Sequence, residues 1–347
     1  MENITITGVD LSKEVFEVRS ENHAGRKVVG RTMSRMRFRQ YLEELPKGSI
    51  VAMEACGSSH YWARESEALG LRPKLISPQF VKPYRKSQKN DRNDAEAICE
   101  AARRPTMRFV AVKSEEQLTI QQIHRVRERN IKEQTGLMNQ IRGFFGDRGV
   151  VIPRGAKAFK EAVKRELELC KGERLFYLLL SELWEEFHQV NARVKAFTKE
   201  IEAIARADEK CQKIQELTGV GPMISTATIA SVGNPFVFKN GRCFAASVGI
   251  VPRQFSTGGK TTLGHITKTG DRYLRKLLVH GARAAVRVLL KKTGPHANKL
   301  SLWVQQLHSR CGFNRTVVAF ANKLARQIWA ILAGKTPREE LQLAIAA

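Results

Sequence analysis

Lys89-Asn90-Asp91-Arg92-Asn93-Asp94-Ala95 places two carboxylates three residues apart at the start of a segment, Asp91 to Arg103, that reads as a helix. That spacing sets Asp91 and Asp94 on one face of the first turn, where like charges repel. A divalent cation relieves the repulsion, and hard oxygen donors of this kind are what Mg2+ prefers. The same pair also suits a helix start without metal, with Asp91 as N-cap and Asp94 at N3, where carboxylates meet free amides and the positive end of the macrodipole. What separates the two readings lies upstream, in whether other acids converge on this turn. Asp10 and Glu54 are the candidates.

Upstream, Ile4 to Val9 alternates β-branched residues and ends at Asp10, and Val15 to Val18 and Arg26 to Thr32 follow after short polar turns, as in a three-strand meander. Met33 to Leu45 has helical periodicity and stops at Pro46-Lys47-Gly48. The apolar run Ser49-Ile50-Val51-Ala52-Met53 suits a buried strand with Glu54 at its end. His60 to Leu69 reads as a helix, and Pro73 to Ser77 as another strand. The order β-β-β-α-β-α-β-α is that of a ribonuclease H-like α/β fold, a mixed sheet with helices on both faces. In that layout one acid ends the first strand, another follows the fourth, and a late helix brings the rest to the same edge. Asp10, Glu54, Asp91 and Asp94 fall in those places. Taken singly, Asp10 also reads as a strand-end turn residue and Glu54 as a solvated acid. As a set they suit two metal ions about 3.5–4 Å apart on a phosphodiester.

The charge points the same way. Lys and Arg number 59 against 34 Asp and Glu, a formal charge of +25 over 347 residues, and the simplest partner for such a surface is a polyanion. Val81-Lys82-Pro83-Tyr84-Arg85-Lys86-Ser87-Gln88-Lys89, just before the acidic turn, carries cations and an aromatic ring suited to phosphates and bases, or else forms a solvated basic loop. Arg92 extends this set. No stretch approaches the roughly 18 apolar residues of a spanning helix. The start Met1-Glu2-Asn3-Ile4 resembles no signal peptide, so a cytoplasmic location without membrane attachment is expected. Six scattered cysteines with no C-x-x-C pair, and eight dispersed histidines, argue against a zinc site or a disulfide framework and for reduced thiols in cores.

From Ser114 the character changes. Ser114-Glu115-Glu116-Gln117 has the capping-box pattern and opens a long charged segment reaching about Phe145. Farther on, Phe176, Leu180, Leu183, Phe187, Val190, Val194, Phe197, Ile201 and Ile204 alternate spacings of four and three, a heptad seam whose mate is either the preceding helix or the same segment of another subunit. Ile214 to Pro222, with Gly219 and Gly221, reads either as a phosphate-contacting helix-hairpin-helix or as a plain packing loop. The last loaded stretch runs from Gly249 through Arg253, Ser256, Thr257, Gly258, Gly259 and Lys260 to Lys268, Arg272 and Arg275. Hydroxyls, paired glycines and cations can bring a backbone close to phosphate, although the Walker spacing is absent. Ser256 reads as a phosphate-gripping hydroxyl or as a nucleophile, with no general base evident beside it in the sequence.

Gly8-Val9-Asp10, Met53-Glu54-Ala55 and Asn90 to Ala95, followed by Ser256 to Lys260 and Thr267 to Arg275, resemble in identity and order the DEDD transposases of the insertion-sequence 110 family, above all its 1111 subgroup. The resemblance covers nearly the whole chain. It implies a RuvC-like catalytic domain over residues 1–112, a coiled-coil arm over 113–210, and a mainly α-helical C-terminal transposase domain over 211–347. It further implies that Asp10, Glu54, Asp91 and Asp94 bind Mg2+ or Mn2+, and that Ser256 becomes joined to the cleaved strand as a phosphoserine. Nucleic acid would be gripped by Lys82, Tyr84, Arg85, Lys86, Lys89 and Arg92 and, near the serine, by Arg253, Thr257, Gly258, Gly259, Lys260, Lys268 and Arg272. Many relatives carry a second serine where this chain has Thr257. The implied partners are donor and target double-stranded DNA, a structured noncoding bridge RNA that selects the sites, and further copies of the chain as a dimer assembling to a tetramer. Use at the bacterial nucleoid follows. A RuvC-like junction resolvase or nuclease using a metal-activated water, or a non-catalytic nucleic-acid-binding protein, would share many of these features.

Overall fold

The computed structural model describes residues 4–86, 90–292, 294 and 297–335. They form two compact units, one of residues up to Gln117 together with Val232–Cys243, the other of Leu118–Ser231 and the chain from Phe244 onward.

The first unit is mixed α/β. Strands β1 (Ile6–Asp10), β2 (Val15–Glu21) and β3 (Lys27–Ser34) form the expected meander, followed by α1 (Arg35–Glu44), β4 (Ile50–Glu54), α2 (Ser59–Ala68), β5 (Arg72–Ile76), the single turn α3 (Pro78–Val81) and α4 (Asp91–Arg103). A two-residue strand β6 (Phe109–Val110), too short to leave a periodic signal, closes a six-stranded sheet in the order β3-β2-β1-β4-β5-β6. β1 runs parallel to β4, and β4 parallel to β5, while the outer pairs are antiparallel.

Strand periodicity sorts the side chains into two cores. Val9, Val51 and Met53 face a cluster with Phe16, Phe38 and Trp62, the three rings meeting edge to face at 4.9–5.2 Å between centroids. Ile6 and Ala52 point the other way, into the core built with Ala97, Ile98 and Ala101 of α4. Gly8 shares that second face, and a methyl group there would lie 2.6 Å from both the Ala95 carbonyl and the Cys99 sulfur. Only glycine lets α4 approach β1 this closely.

The second unit is helical apart from one hairpin. Its long helices are α5 (Glu115–Gly146), α6 (Ala156–Leu169) and α7 (Arg174–Ala207). The α5 start has the expected reciprocal cap: the Gln117 amide donates to Ser114 Oγ, and the Ser114 amide to Gln117 Oε1, each at 3.1 Å. The Arg127 guanidinium donates to Thr198 Oγ1 at 2.7 Å, and Gln134 Nε2 to Asn191 Oδ1 at 2.9 Å, so α5 and α7 run antiparallel. The seam residues Leu180, Phe187 and Val190 are buried with Leu137, Ile141 and Phe145 of α5 and Phe159 of α6. Over this stretch the mate of the seam is the helix before it, together with α6.

The chain continues through α8 (Glu209–Gln215), α9 (Pro222–Val232), α10 (Gly241–Val248), the hairpin β7 (Pro252–Thr257) and β8 (Lys260–Ile266), then α11 (Arg272–Leu290), α12 (Lys299–Cys311) and α13 (Phe313–Leu332). Gly219 has φ +95° and packs against Gly281 and Ala285 of α11, where added methyl groups would collide, so this glycine serves packing. Of the six cysteines, Cys99 and Cys211 lie in cores; Cys56 and Cys243 are exposed, against the expectation that the thiols sit buried. Among the described residues, no helix is long and apolar enough to cross a membrane.

Candidate active site

The carboxylates of the first unit are positioned by strand register. β1 and β4 are parallel neighbours with Val9 opposite Met53, so Asp10 and Glu54 end adjacent strands at the same edge. Both continue the alternation of Gly8 and Ala52, which places them on the sheet face that α4 covers. Asp94 arrives from α4, buried at 7% exposure, next in the chain to Ala95, whose carbonyl lies 2.6 Å from where a methyl group on Gly8 would stand. Asp91 is exposed on the first turn of α4. The helix start is not the alternative one with Asp91 as N-cap: Asn90 caps it by accepting from the Asn93 amide at 2.8 Å, because its short amide side chain reaches that donor from extended backbone.

The edge therefore brings together Asp10 and Glu54, with Asp94 delivered to the same face. These hard oxygen donors suit a divalent cation in chemistry. Among the described residues, however, no three acidic, histidine or cysteine side chains are gathered closely enough to hold a metal ion. The Asp94 carboxylate is engaged by the Arg85 guanidinium in an ion pair with both side chains largely shielded.

The rest of the basic loop is partly committed in the same way. Lys86 Nζ pairs with Glu96 at 2.8 Å, which raises the lysine pKa by hydrogen bonding and charge. Tyr84 lies beneath Arg104 at 5.5 Å, and Arg92 stands 3.8 Å from Glu17. Lys82 is exposed. Lys89 lies outside the described residues.

Ser256 sits in a different setting. Gly258 and Gly259 form a two-residue turn with φ +56° and +77°, the left-handed pair that a tight hairpin demands. The paired glycines, read in the sequence as a phosphate-approaching loop, are thus also the residues this turn requires. Every residue from Pro252 to His265 is exposed, including Thr257 and Lys260. Ser256 Oγ accepts from Gln254 Nε2 at 2.8 Å and donates to Thr261 Oγ1 at 3.4 Å. Both partners are neutral, so within its own hairpin the serine is held but not deprotonated.

The hairpin is anchored at its base. A methyl group on Gly249 (φ +77°) would collide with the Thr269 backbone, and one on Gly270 (φ +72°) with the Ser247 carbonyl. Lys268 takes the left-handed conformation at φ +56°, unusual for a residue with a Cβ. The Arg275 guanidinium donates to the Val248 and Thr269 carbonyls at 2.8 Å each, and Arg253 to the Thr267 carbonyl at 3.4 Å. Arg272 is exposed on the first turn of α11, which Asp271 caps through the Leu274 amide at 2.9 Å.

One buried polar group escaped the sequence reading. His124 of α5 bridges Tyr273 Oη and Thr226 Oγ1, each at 2.9 Å, tying α5, α9 and the start of α11 together. Burial, with Arg127 nearby, pushes its pKa down to about 4, and burial raises the Tyr273 hydroxyl to about 12. A lone histidine in a charged helix leaves no pattern that would single it out.

The chain is similar to known proteins over most of its length. Residues 7–146 match a family model of DEDD transposases, and residues 211–297 a model described as the transposase IS116/IS110/IS902 family. The chain is 44% identical over 337 residues to a probable family 20 transposase of Pseudomonas aeruginosa, covering 96% of this chain and 98% of that protein. It is 41% identical over 338 residues to the transposase for insertion sequence element IS1111A of Coxiella burnetii, covering 96% and 90%. To the transposase for element IS1328 of Yersinia enterocolitica it is 37% identical over 333 residues, covering 95% and 97%. The protein is therefore a transposase. It belongs to the insertion-sequence 110 family, with the DEDD-type N-terminal region of that family.

Proposed function

We propose that the protein is an RNA-guided recombinase of its insertion sequence, cutting and rejoining donor and target DNA through Ser256 and the acids Asp10, Glu54, Asp91 and Asp94. The observation that carries this reading is the contrast in chemistry between the two regions: carboxylates at the ends of neighbouring strands, and an exposed serine whose own partners are neutral. The sheet order, with α4 covering β1 and β4, supports a RuvC-like reading of the first domain, over residues 1–112. The antiparallel packing of α5 and α7 supports a coiled-coil arm over 113–210, ahead of a transposase domain over 211–347.

Ser256 Oγ attacks the scissile phosphorus, and a deoxyribose oxygen leaves with a proton. One phosphodiester is exchanged for another ester bond, so the reverse attack by a strand-end hydroxyl rejoins DNA with no outside energy source. Gln254 orients the hydroxyl by donating to it, and the base that takes its proton comes from outside the hairpin. Asp10, Glu54, Asp91 and Asp94 would hold Mg2+ or Mn2+ once Arg85 releases Asp94, and the ion would neutralise charge on the phosphate. The same basic loop, Lys82 to Lys86, is suited to a nucleic-acid backbone, which would draw Arg85 away from Asp94. The charge of +25 suits a protein that holds a bridge RNA and two DNA duplexes as a dimer assembling to a tetramer.

The test is to purify the protein with the transcript flanking its element, add donor and target plasmids with Mg2+, and look for a protein-DNA adduct on a denaturing gel. An adduct lost in Ser256→Ala supports the serine. Cutting that persists in Ser256→Ala would instead favour a resolvase-like enzyme with water as nucleophile.

A further inference from the structure

A groove of about 960 Å3 opens within the C-terminal unit between the serine hairpin and α13. One wall is a single face of α13, where Asn314, Arg315, Val318, Ala319 and Asn322 follow helical spacing while Val317, Phe320, Ala321 and Leu324 on the opposite side fill the core. The other wall is the hairpin and its base, Ile250, Pro252, Lys268 and the run Leu263 to Ile266, which includes His265. Apolar floor, two amides, two cations and the His265 imidazole line it, and no carboxylate does among the described residues. That combination matches one nucleotide: a flat base, a hydrogen-bonding edge and a phosphate.

The hairpin register ties the groove to Ser256. Gln254 pairs with Leu263 and Ser256 with Thr261. Directly opposed residues of an antiparallel pair share a face, and residues two apart along a strand do too. The Gln254–Ser256–Thr261 hydrogen bonds follow that face. Ser256 therefore stands on the same side of the hairpin as Leu263, which lines the groove, about 7 Å away along the strand at the usual rise per residue.

We propose that this groove seats the nucleotide beside the scissile phosphate in the DNA strand that Ser256 attacks. The base lies out of its stack on Val318 and Ala319, Asn314 and Asn322 meet its edge, and Arg315 and Lys268 hold the phosphate. Amides suit base edges and cations suit phosphates, so the groove both positions the strand and discriminates its sequence. The choice of DNA rests on the reading of Ser256 as the attacking group. A free strand end released by that attack would stay in place for rejoining.

The experiment uses the full-length chain and a short single-stranded deoxyribo-oligonucleotide carrying 5-iodouracil at successive positions, with crosslinked peptides mapped after irradiation and affinity measured by anisotropy at about 0.15 M salt. Crosslinks on residues 314–322 are expected. Arg315→Ala and Asn322→Ala should each weaken the strand about three- to tenfold, and Ala319→Trp, which fills the floor, at least about tenfold, with melting temperatures held for the two surface variants. Crosslinks that avoid α13, unchanged affinity in Arg315→Ala and Asn322→Ala, or tighter binding of the matching ribo-oligonucleotide would each overturn the proposal. Loss of the covalent adduct with α13 crosslinks retained would sink the serine reading alone; an adduct formed without α13 crosslinks would sink the groove alone.

Discussion

The acidic edge of the first unit and the serine hairpin of the second solve placement in opposite ways. Asp94 is 7% exposed, backed by the sheet and held by Arg85, whereas Phe255 and Leu263 beside Ser256 are 61% and 62% exposed. The acids are set by a core: β1 and β4 cannot slip without turning their apolar faces outward. The hairpin carries almost no buried surface of its own and owes its position to its base, where Gly249, Gly270 and Arg275 leave the backbone no slack. In this molecule the buried carboxylate is built into the fold, and the exposed serine is held out on a hairpin with a tightly packed root.

Removing one group from each region should give the largest effects. Asp10→Asn and Ser256→Ala should each cut plasmid recombination at least about 1,000-fold. Only the hairpin variant should leave the urea unfolding midpoint untouched. Asp94→Asn should also lose stability, by about 1–3 kcal/mol, because it strands Arg85. An equal stability loss in Ser256→Ala would remove the contrast.

Next in size is the hairpin root. Gly270→Ala should destabilise the protein by about 3 kcal/mol or more, since the new methyl group meets the Ser247 carbonyl at a left-handed φ. Gly259→Ala, at a turn with open space around it, should cost only about 1 kcal/mol. Comparable unfolding midpoints for the two would show that the root is not the rigid part.

The helical unit should also respond to acid. The pKa of His124 falls from 6.5 to about 4 on folding, so between those values the unfolded chain binds a proton that the folded chain does not. Stability is then full above about pH 6.5 and falls by roughly 3 kcal/mol as pH drops towards 4. His60 of the first unit shifts the same way, to about 4, with burial again the main cause. Denaturant titrations across this range should show a slope that flattens in His124→Gln, and an unchanged slope would remove the buried imidazole from the account. The smallest effect expected is Phe255→Ser, within about 0.5 kcal/mol of the unaltered protein, because that ring is mostly in solvent.

Much of the first unit was legible from residue order. The alternation of Ile4 to Asp10 and the short run ending at Glu54 marked two buried strands, and Asp91 to Arg103 is the helix that its composition suggested. Period-two and period-3.6 patterns survive in sequence because each strand and helix buries one defined face. The heptad seam of α7 was legible for the same reason, although its partner was not. The hairpin escaped because its strands face solvent on both sides and so carry no alternation, leaving Gly258-Gly259 to be read for phosphate before turn geometry.

Residue order gave which groups the chain carries and in what succession: the acids at strand ends and a helix start, the basic loop between them and the serine block near the far end. Only the tertiary structure decided that Arg85 engages Asp94, that Asp91 faces solvent while Asp94 does not, that His124 joins three helices, and that Ser256 shares a hairpin face with a groove on α13. Local pattern records which face of an element is buried. Which charged groups then meet depends on contacts between residues far apart in the chain, and those no short spacing encodes.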